Sequence, residues 1–206
     1  MSRYTGPVCK LCRREGQKLY LKGDKCYTKC TLEKRPMPPG MHTRTRRASE
    51  YGLQLREKQK ARRFYGVGES QFRLYFKQAV KVRGVTGQTL MQNLERRLDN
   101  VVYRAGFARS RNEARQIVNH GHVAVNGRKV DIPSYLVSPG DEISIRPRSL
   151  KMERFKSMAE YLADYTPPAW ISLDPQNWKC VFVRLPERDE IDVPVDERFI
   201  VELYSK

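Results

Sequence analysis

The spacing of apolar residues along this chain alternates between the 3.6-residue period of a helix and the two-residue period of a strand. Residues 49–65 carry a helical pattern that opens at Ser49. Gly66 to Gly68 break it, and residues 69–83 resume it with Phe72, Tyr75, Phe76, Ala79 and Val80 on one face. After GlyValThrGly at 84–87, residues 89–105 read as a third helix, in which Leu90, Leu94, Leu98, Val101, Val102 and Ala105 form one apolar stripe. Gly106 ends it. Ser110 followed by Glu113 is a capping box, predicting a short helix that turns Ala114, Ile117 and Val118 inward until Gly121 stops it.

The period then shortens. HisValAlaValAsnGlyArgLysVal at 122–130 alternates apolar and polar side chains about AsnGly, the strongest short signal for a hairpin with a type I′ turn. Residues 139–145 add a turn and another strand, and residues 152–165 look helical. Residues 170–174 and 178–185 read as a second hairpin around ProGlnAsn, and 199–204 is the last strand candidate. Helices followed by helices mixed with antiparallel strands predict an α+β fold: a largely helical body carrying a module of helices on a small antiparallel sheet.

Charge narrows the function. The chain of 206 residues holds 40 Lys and Arg against 23 Asp and Glu, a net charge of +17, which demands a polyanionic partner. The charge is polarised: residues 1–150 hold 32 basic and 12 acidic side chains, residues 151–206 hold 8 and 11. A basic body facing phosphates is expected, with an acidic segment that meets solvent or a basic protein. No stretch approaches the ~20 apolar residues of a membrane span, and MSRYTGPVCKLC lacks the apolar core of a signal peptide. The expectation is a soluble intracellular chain with no membrane partner and no small-molecule substrate.

Four of the five cysteines fall in the first forty residues, as Cys9-x2-Cys12 and Cys26-x3-Cys30, before the ProMetProProGly linker at 36–40. Two close pairs separated by a loop can converge on a tetrahedral ion, and neighbouring Lys and Arg favour thiolates. One structural zinc ion on Cys9, Cys12, Cys26 and Cys30 is expected; an iron–sulfur cluster uses the same ligand count. Cys180, alone in an apolar strand, reads as a small core residue.

The candidate RNA contacts cluster about the capped helix and the first hairpin. Arg109, Ser110 and Arg111 stand at a positive helix N-terminus, with Arg115 and Gln116 one turn on and Arg104 and His120 flanking. Asn126, Arg128 and Lys129 form the hairpin tip, and the two edges together suit the backbone of a folded RNA. Arg44, Arg46 and Arg47 form a second basic cluster. The aromatics Tyr51, Phe64, Tyr65 and Tyr103 lie at helical spacing and read as core.

Residues 94–135, from LeuGluArgArgLeuAspAsnValValTyrArg to AspIleProSerTyr, closely resemble the RNA-binding module named after ribosomal protein S-four. ArgTyrThrGlyPro at 3–7, LeuArgGluLysGlnLysAlaArgArg at 55–63, GlnPheArg at 71–73 and ValGluLeuTyrSerLys at 201–206 extend the likeness to the bacterial ribosomal family over nearly the whole chain. The resemblance implies three parts: a metal knuckle and linker at 1–40, a helical body of 41–91 joined by 184–206, and an RNA-binding module of 92–183 with its core at 94–146. It implies a cytoplasmic, structural constituent of the small ribosomal subunit that binds its ribosomal RNA at a multi-helix junction of the five-prime domain. It further implies contact with ribosomal protein S-five, a place at the messenger RNA entrance for Arg44, Arg46 and Arg47, influence on decoding accuracy and, in some bacteria, repression of its own operon. Many family members lack the cysteines, and others have one more residue in the second pair.

Two other classes share such modules. RNA-modifying enzymes carry an ArgLeuAsp tripeptide with a catalytic Asp, echoed at 97–99, yet Asp99 falls mid-helix beside the core residue Leu98 and reads as a solvated or ion-paired neighbour. No phosphate-binding loop, nucleophile elbow or metal-hydrolase motif occurs in the chain, so it is not expected to be an enzyme. Free-standing RNA-chaperone proteins with this module are short, and the added segments here count against that class.

Overall fold

A computed structural model describes residues 4–41 and 49–205. Helices α1 (Cys9–Glu15), α2 (Lys25–Thr28), α3 (Thr31–Lys34), α4 (Glu50–Phe64), α5 (Glu69–Lys81) and α6 (Thr86–Glu95) come first, then α7 (Leu98–Arg104) and α8 (Arg111–Asn119). Strands β1 (Val123–Val125), β2 (Arg128–Lys129) and β3 (Glu142–Ile145) follow. Helices α9 (Pro147–Leu150), α10 (Glu153–Lys156) and α11 (Ala159–Ala163) precede β4 (Ile171–Asp174), β5 (Lys179–Phe182) and α12 (Glu197–Ser205). Two compact units result, Met1–Met91 with Asp192–Lys206, and Gln92–Ile191.

In the first unit Ser49 caps α4, its Oγ accepting the Gly52 N–H at 3.2 Å. The stripe of α5 buries Phe72, Tyr75, Phe76 and Ala79, whereas Val80, expected on the same face, is exposed. Residues 199–204, read as a strand, belong instead to helix α12. A short apolar run has no decisive period of its own, and packing decides. The Tyr204 ring centroid stands 4.6 Å from Phe76 and 6.4 Å from Phe72. The Gln54 amide donates to Glu202 Oε2 at 3.0 Å. Tyr204 Oη donates to Glu69 Oε1 at 3.1 Å, and the same carboxylate accepts Lys58 at 2.6 Å and Arg62 at 2.7 Å.

The second unit runs through Ile191, past the boundary near Val183 that the family resemblance implies. Gln92 Nε2 donates to Pro186 O at 3.0 Å, Val183 N to Trp170 O at 2.9 Å and Arg188 to Ile191 O at 3.1 Å, while Arg184 pairs with Glu190. The first two bonds tie residues 183–191 to the sheet unit, and the last two fold the segment on itself.

The single helix expected over 89–105 is two. Arg97 is extended, with φ −62° and ψ 135°, and bridges Leu136. The loop before Val137 takes the backbone groups a continuous helix would need: Leu98 N donates to Tyr135 O at 2.8 Å, Asp99 N to Pro133 O at 3.2 Å and Val137 N to Arg96 O at 2.9 Å. Residues 152–165 likewise divide into α10 and α11. There the Ser157 hydroxyl donates to the Arg154 carbonyl and the Met158 N–H donates to Phe155 O, tightening the turn.

The five strands are antiparallel in the order β2-β1-β3-β5-β4. Register places Val123 and Val125 opposite Ile145 and Ile143, and Cys180 between Ile143 and Leu173. One face is therefore apolar, and it joins Leu98, Val101 and Val102 of α7, Ile117 and Val118 of α8, and Phe155, Met158 and Leu162 in one core. The other face carries Ser144, Lys179, Glu142 and Ser172, with Lys179 paired to Glu142 at 3.0 Å. Cys180 is 1% exposed, and burial pushes its thiol far up, as befits a core residue.

Desolvation works to raise the Glu69 carboxyl, but hydrogen bonds from Lys58, Tyr204 and Arg62 hold it below its usual range. A depressed carboxyl contributes stability above its unfolded pKa and loses it as pH falls through the folded value. Glu69→Gln is therefore expected to lower the thermal midpoint at neutral pH, and the gap to the parent chain should close below about pH 4. Melting curves across that range check this; a gap that persists into acid refutes it.

Candidate nucleic-acid interface

The junction between α6, α7 and α8 is built on buried charge. Glu95 has no exposed surface, and its carboxylate accepts from Asn100 Nδ2 at 2.6 Å and from Arg104 Nε and Nη2 at 3.1 and 2.9 Å. Asn100 Oδ1 in turn accepts from Arg111 Nε at 2.9 Å, and the Arg111 guanidinium lies 4.4 Å from the centroid of the Tyr103 ring. Asp99 accepts two bonds from Arg97, at 3.0 and 2.6 Å, and faces Arg115 at 3.7 Å. Asp99 is thus ion-paired and enclosed, the arrangement of a structural carboxylate.

This network relocates three of the residues expected at the RNA edge. Arg104, Arg111 and Arg115 are 9%, 8% and 6% exposed and turn inward to the carboxylate network. Their periodicity put them one turn apart on α7 and α8, but the sequence pattern carried no sign that Glu95 and Asp99 would meet them. Ser110 caps α8, accepting the Glu113 N–H at 3.3 Å. Glu113 reaches back to the Arg109 N–H at 2.7 Å and is held by Arg154 at 2.7 Å, a reciprocal cap displaced by one residue from the usual box.

What remains outward is one strip. Arg109, Gln116, His120, Arg128 and Lys129 are exposed along α8 and the β1–β2 hairpin. The turn is type I′, with Asn126 at φ 49° and Gly127 at φ 76°. Asn126 is exposed but its amide is committed, donating to Asp141 Oδ1 at 2.8 Å and accepting the Glu142 N–H at 2.9 Å. It locks the hairpin tip to β3. Lys129 lies across Gly121, where an added Cβ would meet Lys129 Cε at 2.5 Å, and its ammonium pairs with Asp131 at 3.1 Å. Gly121 also needs its φ of 71° to end α8. His122, beside His120, shares a 3.0 Å hydrogen bond with Ser149, and burial, then the charges of His120, Arg154 and Arg146, hold its pKa down. Arg44, Arg46 and Arg47 lie outside the described residues.

Among the expected core aromatics, Phe64 and Tyr65 are buried and Tyr103 is half-buried, whereas Tyr51 is exposed. The cysteines fall as Cys9 and Cys12 in α1, Cys26 in α2 and Cys30 at the start of α3, with all but Cys9 buried. All are free thiols, and among the described residues no group of three or more His, Cys, Asp or Glu side chains has the geometry to hold a metal ion. The closed four-thiolate array expected from the spacing is not formed. Burial, foremost, pushes the Cys12 and Cys26 thiols up, while the N–H groups of Leu19 and Lys22 oppose it.

Comparison with known proteins follows the same division. The Ribosomal protein S4/S9 N-terminal domain matches residues 3–95 and the S4 domain matches residues 96–143. Small ribosomal subunit protein uS4A of Symbiobacterium thermophilum is 61% identical over 208 residues, with all of both chains covered. The uS4 proteins of Pelotomaculum thermopropionicum and Thermus thermophilus are 59% and 54% identical, again over the whole of each chain. The chain belongs to the uS4 family.

In this uS4 chain the S4-domain match covers α7, α8, β1, β2 and the start of β3, with the exposed strip and all of the buried network except its hub, Glu95, the last residue of the N-terminal match. The β4–β5 hairpin lies beyond it yet completes the sheet. Sequence reasoning missed two residues of this region. Arg146 Nη1 donates to Gly121 O at 3.0 Å and braces the end of α8. Tyr135, 37% exposed, lines a depression beside the hairpin with Arg128 and Lys129. Its place in an irregular loop left no periodic signal, although ProSerTyr at 133–135 sits within the quoted family segment.

Removing one partner of a buried charge network strands the other, at a cost of about 3–5 kcal/mol. Glu95→Ala, which leaves Arg104 without its carboxylate, is expected to lose stability on that scale in urea titration. A loss under about 1 kcal/mol would mean that water reaches the guanidinium.

Proposed function

We propose that this chain is a structural constituent of the small ribosomal subunit that binds its ribosomal RNA, working in the cytoplasm as part of the ribosome. The observation that carries the reading is identity along the full length to proteins named small ribosomal subunit proteins. The net charge of +17, concentrated before residue 151, supplies the electrostatics. Arg109, Gln116, His120, Arg128 and Lys129 contact phosphate and sugar. Arg104, Arg111 and Arg115 act from within, fixing α7 and α8 so that the strip keeps one shape. That division suits recognition of RNA by form more than by base sequence. Asp99, shared by two arginines, takes no catalytic part, and the protein works as a scaffold.

The finer reading places the RNA site at a multi-helix junction of the five-prime domain. The basic segment 42–47 lies toward messenger RNA at the entrance, where it influences decoding accuracy. The acidic segment 151–206 meets neighbouring ribosomal proteins, S-five among them. The surplus of acidic over basic side chains in that segment, 11 against 8, supports a basic protein partner.

Binding to a small-subunit ribosomal RNA transcript should weaken steeply with salt, by about 0.7–0.9 log unit per log unit of salt for each neutralised phosphate. The triple variant Arg109→Ala, Arg128→Ala, Lys129→Ala should reduce that slope in filter binding. An unchanged slope would move the contact surface elsewhere. In cell extract the protein should sediment with small subunits and leave them only at high salt or on unfolding.

Cys9, Cys12, Cys26 and Cys30 are proposed to hold one structural metal ion, zinc by donor chemistry, with an iron–sulfur cluster as the other four-thiolate occupant. The support is the pairing of four thiols by sequence spacing and the Lys22 N–H that donates to Cys26 Sγ at 3.3 Å as amides do to thiolates; binding would require the sulfurs to converge from the arrangement described above. Bound, the ion would lock the first forty residues. Elemental analysis of purified protein should return about one zinc or a stoichiometric iron–sulfur cluster per chain. Sub-stoichiometric metal with four freely titrating thiols would refute it.

A further inference from the structure

We infer that the depression beside the sheet's edge strand receives one unstacked base of the bound RNA, stacked on the Tyr135 ring with its phosphate held by Arg128 and Lys129. The inference rests on the reading of the chain as an RNA binder and adds a base-binding subsite to it.

The depression measures 540 Å³ and is lined by Val125, Asn126, Arg128, Lys129, Val130 and Tyr135. That size falls within the about 300–1,000 Å³ of small-ligand sites. Strand β2 is the outermost in the sheet and both its side chains are exposed, so the cations stand at the rim. Val125, 4% exposed, supplies apolar lining. Tyr135 is carried on an anchored backbone: its carbonyl accepts the Leu98 N–H at 2.8 Å and its N–H donates to Ile132 O at 3.1 Å. The ring is thus presented by a fixed backbone, and stacking costs little ordering.

An aromatic face flanked by cations is the arrangement that holds single-stranded nucleotides, each base stacking on the ring while its phosphate meets the charge. Tyr135 is 37% exposed and lines the depression, so its side chain is open to a ligand there. The one side-chain amide that lines the depression, that of Asn126, is already committed to Asp141 and Glu142. The site therefore lacks its best means of reading a base edge, and it should accept different bases at similar affinity.

The test uses the full chain, a small-subunit ribosomal RNA transcript and filter binding at several salt concentrations. Tyr135→Ala, and Tyr135→Leu, which keeps bulk without the ring, should each weaken binding about tenfold with the salt slope unchanged, since a stack and not a phosphate contact is lost. Tyr135→Phe should bind like the parent chain. Lys129→Ala should lower the slope instead. Nucleotide-resolution chemical probing should show one base protected by the parent and Tyr135→Phe chains and reactive with Tyr135→Leu. Equal affinity of parent and Tyr135→Leu, or an unchanged probing pattern, overturns the subsite and leaves this edge to a protein neighbour. Failure of the parent chain to bind the RNA at all would instead sink the function on which the subsite rests.

Discussion

Glu95 is a carboxylate with no exposed surface, and the geometry of the sheet unit follows from it. It holds Asn100 and Arg104 directly, and through Asn100 it reaches Arg111 on the next helix. The end of α6, the length of α7 and the first turn of α8 are thereby tied by hydrogen bonds to one group. Directional bonds do here what apolar packing cannot: they select a single rotation and register of α8 on α7. The exposed strip inherits its shape from that choice. A buried ionic network of this kind is weak evidence for net stability, because desolvation offsets most of the Coulomb gain. Its worth lies in specificity of arrangement.

The Arg97 break belongs to the same logic. An uninterrupted helix across 89–105 would carry its backbone bonds within itself and leave the 131–137 loop without partners for its carbonyls. By extending at Arg97 the chain hands Leu98 N and Asp99 N to Tyr135 and Pro133. Arg97 itself, 1% exposed, is neutralised two residues on by Asp99. The loop that lies beside the hairpin is thus fastened to α7 by backbone hydrogen bonds.

Much of this was legible in the residues. The AsnGly turn, the Ser110 cap, the apolar stripes of α5 and α8 and the α+β class all follow from local periodicity and turn chemistry, which are properties of neighbours in sequence. The errors share a different origin. The helix α12 was mistaken for a strand because Phe199 to Tyr204 is too short to display a period, and its state is set by α4 and by Phe72 and Phe76, far away in the chain. Arg104, Arg111 and Arg115 looked like surface cations because the acids that claim them, Glu95 and Asp99, are brought to them by the fold. Tyr135 carries no signal in the sequence, because an irregular loop has no pattern to violate. The cysteine spacing suggested a closed site, and spacing alone does not say where the sulfurs point.

The first unit is discontinuous in sequence, and α12 supplies the ring and the carboxylate that close it over α4. During synthesis the whole of Gln92–Ile191 emerges before residues 192–206 do. α4 and α5 therefore wait with Phe72 and Phe76 uncovered until α12, made after the whole sheet unit, arrives. Connectivity thus sets one constraint: the helical unit is completed by a segment that lies beyond the entire sheet unit in the chain.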